Sequence, residues 1–96
     1  NELFLSLASI WELQIKAQLG KIQLVAALAD QVALQVENID LRLLPITADH
    51  IYTVGKLPMH HRDPFDRMLA AQVMDEGMSL LTKDSVFAAY GVQIVW

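Results

Sequence analysis

Glu12, Asp63, Asp66 and Asp84 are the residues whose type and placement could do chemistry. Carboxylates brought close together repel unless a proton or a cation intervenes. With oxygen as the only donor type, the cation they select is a hard one such as Mg²⁺ or Mn²⁺. Each acid also has a local reading. Ser9-Ile10-Trp11-Glu12 has capping-box spacing, with Ser at the N-cap and Glu three residues on. Asp63-Pro64 puts a good N-cap before a proline suited to the first helical position. Asp66, one turn in, suits the helix dipole. Asp84 ends an apolar run and can cap a helix after it. The stretch "HHRDPFDRMLAAQ" (60–72) therefore poses one question. Its carboxylates either cap a helix or hold an ion.

The other side chains offer less. His60 and His61 are adjacent in a loop and cannot face one metal together in a regular geometry. Ser6, Ser9, Ser79 and Ser85 have no neighbouring His to act as a base, which argues against a serine nucleophile. Trp11 and Trp96 read as core or interface residues. Arg62, Arg67 and Lys83 flank the acids, as surface charge or as phosphate contacts. The scattered glycines make no phosphate loop. Two helices across 9–34 suggest a DNA-binding helix pair, but the second carries no Lys or Arg to meet phosphate or base.

The elements that must position the acids follow from punctuation and apolar runs. Strands are expected at 2–6, 41–46, 79–84 and 92–96. Helices are expected from Ser9 to Gly20, over 23–34, from Thr47 to about Leu57 where Pro58 stops it, from Asp63 to Gly77, and over "DSVFAAYG". The strands are apolar without alternation and are separated by helices. That pattern predicts an α/β fold with a parallel sheet covered on both faces. In such a sheet, ligands bind beyond the carboxyl ends of the strands, where helix N-termini gather. The topology thus draws Glu12, Asp63, Asp66 and Asp84 toward one rim. Ala70 and Ala71 let their helix lie close to the sheet, with Phe65, Met68, Leu69 and Val73 as its apolar stripe.

Composition bounds the rest. The 96 residues suffice for one small domain, 1–96. Hydrophobic residues are 54% of the chain and the mean hydropathy is +0.34, so a buried sheet or a large partner interface is expected. No apolar run approaches the roughly 20 residues of a membrane span. Without a basic n-region the N-terminus makes a poor signal peptide. The absence of cysteine excludes disulfides, thiolate metal sites and a Cys nucleophile, and fits a cytoplasmic protein. At a net charge of −4 the overall field repels nucleic acid, so such binding needs a basic patch or bound cations.

With these residues in view, the chain resembles the PIN-domain ribonucleases, specifically the VapC-type toxins of bacterial toxin–antitoxin pairs. "SIWELQIKAQLGKI" is similar to the family's Ser-x-x-Glu helix and the turn after it. "LPMHHRDPFDRMLAAQVMDEGMSLLTKDSVFAAYGVQIVW" is similar to its C-terminal half, with the DPFDR helix and the T-x-D strand end. The resemblance implies a three-layer parallel sheet flanked by helices and an acidic pocket for one or two Mg²⁺ or Mn²⁺ ions. It also implies hydrolysis of RNA phosphodiesters and a cognate antitoxin partner. By motif match Glu12, Asp66 and Asp84 are the catalytic metal-binding acids. Asp63 is their companion as a ligand, as an acid behind the ligands, or as the helix cap. Arg62, Arg67 or Lys83 would steady phosphate.

One departure stands out. The family opens on a central strand that ends in a metal-binding Asp, and no residue here replaces it. The chain therefore reads as a PIN domain lacking its first, central strand. That predicts weak or absent cleavage by these 96 residues alone. It also predicts a homodimer in which apolar surface or an exchanged strand covers open sheet edges. The rival reading is a catalytically incomplete PIN-fold interaction module that binds an antitoxin or a second copy of itself.

Overall fold

A computed structural model describes residues 2–58, 63–81 and 93–95. It divides into two compact units, Asn1–Pro45 and Ile46–Trp96. Among the described residues there are four strands and four helices.

The first unit is a strand, two helices and a strand. β1 (Phe4–Ser6) runs directly into α1 (Leu7–Gln18), then come α2 (Leu28–Asn38) and β2 (Arg42–Leu44). β1 and β2 pair in parallel, with Phe4 opposite Arg42, Leu5 opposite Leu43 and Ser6 opposite Leu44. An ion pair from Glu2 to Arg42 at 3.4 Å and a bond from the Arg42 amide to the Leu3 carbonyl at 2.9 Å extend the pairing by one residue.

Two expectations change in this unit. The cap of α1 is Ser6, not Ser9: the Ser6 Oγ accepts the Ala8 amide at 3.0 Å. The strand hands its last residue to the helix as cap, so the helix begins one turn earlier than Ser9-x-x-Glu12 suggests. Its far end behaves as expected. Gly20 is left-handed at φ 73°, with bonds from Gly20 N–H to Ala17 O and from Lys21 N–H to Lys16 O. These are the two reversed bonds of a Schellman closure. α2 starts at Leu28 rather than at residue 23, and Val25 lies fully exposed before it. Ala27 gives it no side-chain cap, but the later start puts Asp30 in the first turn, where the helix dipole favours an acid.

The second unit is built on an antiparallel helix pair, α3 (Ala48–Lys56) and α4 (Pro64–Glu76), followed by β3 (Ser79–Leu81) and β4 (Gln93–Val95). β3 and β4 pair in parallel, Ser79 to Gln93 and Leu81 to Val95. That excludes a hairpin between them, as the apolar, non-alternating strands predict. The expected short helix over 84–91, and Lys83 with it, lie outside the described residues. Thr47 caps α3 and Asp63 caps α4, both as expected. Gly77 closes α4 at φ 65°, the left-handed turn that glycine takes without a Cβ penalty. The next residue, Met78, sends its amide back to Val73 O at 3.0 Å.

The core of this unit is Leu57, Ala70, Ala71 and Val73, with Val54, Leu69, Met78 and Leu80 packed against it. The paired alanines are fully buried, so α4 lies close on its neighbours as their size predicts. The buried face of α4 also carries Arg67 and Gln72, two polar residues absent from the expected stripe. Phe65 and Met68, expected on it, are only half-buried. No described helix is long and apolar enough to cross a membrane.

Candidate functional site

Asp63 and Asp66 sit at the start of α4, and the hydrogen bonds there give Asp63 a local duty. Asp63 Oδ1 accepts the amides of Phe65 at 2.8 Å and Asp66 at 3.2 Å. Those are donors that a helix N-terminus otherwise leaves unmatched. Pro64 occupies the first helical position, where its missing N–H costs nothing. Asp63 is therefore the cap. Asp66 follows in the first helical turn, half-buried. Asp63→Ala should lower stability by about 1 kcal/mol, the usual loss of an N-cap. Asp63→Asn and Asp63→Ser should recover most of it, because either side chain can still accept the amides. Urea unfolding of the three variants is the check.

In the first unit, Glu12 lies in the second turn of α1, too far in to accept the helix's own terminal amides. Its Oε2 instead lies 3.5 Å from Lys16 Nζ, four residues on, and the Glu12 side chain is 24% exposed. Glu12 is thus a partly sheltered carboxylate paired with a lysine on its own helix. Glu12 and Asp66 belong to separate units, so each is placed within its own. Asp84, Arg62 and Lys83 lie outside the described residues. Among the described residues no three His, Cys, Asp or Glu side chains gather closely enough to hold a metal.

Arg67 departs from its expected role as a phosphate contact. Its guanidinium is buried, with the residue 9% exposed, and it donates to three main-chain carbonyls at the end of α3. Nη1 reaches Pro58 O at 3.0 Å. Nη2 reaches Val54 O at 3.0 Å and Leu57 O at 3.3 Å. These carbonyls end a helix that Pro58 prevents from continuing, and a cation there also meets the negative end of the dipole. A charge can be buried at this depth because hydrogen bonds replace its hydration.

The opposite end of the helix pair holds a second polar network that the sequence reading passed over. His50 is 1% exposed. Its Nδ1 accepts the Thr47 amide at 3.0 Å, which makes Nε2 the protonated nitrogen, and Nε2–H donates to Glu76 Oε2 at 2.9 Å. The His50 amide returns to Thr47 Oγ1 at 3.3 Å, completing a capping box with His in the place usually held by Glu. Fully buried Gln72 approaches the same ring at 3.4 Å, and the Thr53 hydroxyl donates to Asp75 at 2.8 Å. The one signal in the sequence was Thr47-x-x-His50. A cleft of about 490 Å³ opens here, lined by Thr47, Asp49, Tyr52, Thr53, Lys56, Asp75 and Glu76. It is some ten residues along α4 from Asp66, or about 15 Å at the helical rise, so it is separate from Asp66.

Residues 1–93 match the family described as PIN domain, a span that runs across both units. The chain belongs to the PIN-domain family. The parallel pairs and flanking helices are thus those of an α/β PIN domain. Membership brings a nuclease-type function, with divalent metal ions as the family's general cofactor and RNA as the ligand it suggests. No curated protein and no solved structure matched the chain.

Proposed function

We propose that this PIN domain belongs to a VapC-type toxin, a cytoplasmic endoribonuclease restrained by a cognate antitoxin. The observation that carries the reading is the division of labour at the start of α4. Asp63 Oδ1 caps the helix amides, and within DPFDR the motif match gives the ligand role to Asp66. Glu12, Asp66 and Asp84 would hold Mg²⁺ or Mn²⁺. When bound, such an ion supplies Lewis acidity toward phosphate and a more acidic water. The protein's own part is to fix the carboxylates and orient the phosphodiester. The cations also offset the acidic field that keeps RNA away from a chain of net charge −4. Arg62 and Lys83 are the candidate phosphate contacts. Arg67 is engaged instead with the end of α3.

A second reading rests on a separate observation. On α1, Trp11 is 60% exposed and Leu7 and Leu19 are exposed with it. Spacings of four and eight residues put these side chains near one face, and such a patch suits a protein partner. An antitoxin or a second copy of the chain would cover it, and a homodimer is part of this proposal. An interaction module without catalysis would need only this surface.

Metal removal separates the two. The full-length protein should cleave RNA in Mn²⁺ or Mg²⁺, lose cleavage in excess EDTA, and recover it when metal is restored. Cleavage that persists in EDTA, or full-length protein that neither cleaves RNA nor takes up Mn²⁺, would favour the module.

A further inference from the structure

We propose that Arg67 is a positioning residue for Asp66, and that it acts by pinning the first turn of α4 to the last turn of α3. The proposal rests on Asp66 being a metal ligand. Arg67 holds this junction from two sides. Its amide donates to Asp63 O at 3.0 Å and closes the turn that contains Asp66. Its guanidinium bonds Val54 in the last turn of α3, Leu57 at the C-cap and Pro58 beyond it. Asp66 is the adjoining residue, so a rotation or slide of this turn moves the carboxylate with it.

The kind of contact matters as well. Ala70 and Ala71, which pack deeper along α4, are small and featureless, and such a face resists separation better than sliding. Three directed hydrogen bonds from one planar, buried group fix both register and rotation. Arginine is suited to this because its donors form a rigid fork. Lysine can place one ammonium near these carbonyls but cannot span all three in the same geometry. Metal sites are sensitive to groups standing behind their ligands, whose loss costs roughly ten- to a hundredfold in affinity.

The test compares Mn²⁺ binding, by electron paramagnetic resonance, in full-length wild type, R67Q, R67K, D66N and H50Q. Circular dichroism melts select a temperature at which each is folded. H50Q loosens the same helix pair at its far end and controls for general destabilisation. R67Q should weaken Mn²⁺ binding by roughly ten- to a hundredfold, R67K should fall between it and wild type, and H50Q should bind like wild type. Folded R67Q with wild-type affinity overturns the proposal. If R67Q does not fold, wild-type affinity in R67K does the same. Equal weakening by H50Q also overturns it, because the effect would then be general loosening. D66N with unchanged Mn²⁺ affinity removes Asp66 as a ligand, and the positioning claim falls with it. D66N weakened and R67Q unchanged removes the positioning claim alone.

Discussion

Asp66→Asn is expected to reduce metal-dependent RNA cleavage by the full-length protein by roughly a hundredfold or more. The carboxamide is nearly the same size and keeps one carbonyl oxygen. What disappears is the negative charge that competes with water for a hard divalent ion. Losing a residue that merely stands behind a ligand costs about ten- to a hundredfold, so loss of the ligand itself belongs at or beyond the upper end. Asp63→Asn, three residues earlier, should leave cleavage within a few-fold of wild type, because an asparagine can still cap α4. The pair is informative because the two acids share one helical turn. Single-turnover cleavage of a labelled RNA in Mn²⁺ reads both. Equal losses from the two variants would mean that Asp63 does more than cap.

His50→Ala is expected to destabilise the protein by about 3 kcal/mol while leaving Mn²⁺ affinity unchanged. The Thr47 amide, in losing the His50 side of the capping box, and the buried Gln72 would together be left without their acceptor, at about 1–3 kcal/mol. The vacated ring volume adds a cavity cost. Glu76 contributes less, because its side chain is 40% exposed and water can replace the imidazole. Urea unfolding measures the change. A loss under 1 kcal/mol would mean that the network relaxes around the gap.

What the sequence disclosed was what local chemistry decides. Thr47, Asp63, Gly77 and Gly20 each bound a helix end because the groups they satisfy, or the turn they permit, lie within a few residues. The parallel pairing was legible because the strands are apolar without alternation. Ser9 was misleading because Ser6 offers the same hydroxyl one turn earlier, and the strand delivers Ser6 to the helix start. The two buried polar residues of α4 were invisible for a different reason. Arg67 finds its acceptors on α3, and Gln72 finds His50 there. Only the packing of two helices reveals either. Of the candidate acids, Asp63 shows its capping role in its cap distances. The joint role of Glu12, Asp66 and Asp84 rests on motif resemblance and donor chemistry.

The most direct test of that joint role is the position of Mn²⁺ itself. Crystals of the full-length protein grown with MnCl₂, measured above and below the manganese absorption edge, would locate the ion by its anomalous signal. The account predicts a peak ligated by carboxylate oxygens of Asp66 and Asp84, with Glu12 beside it. Manganese held elsewhere, such as against Asp49, Asp75 and Glu76 in the far cleft, would contradict it, as would Glu12 and Asp66 on opposite faces of the domain.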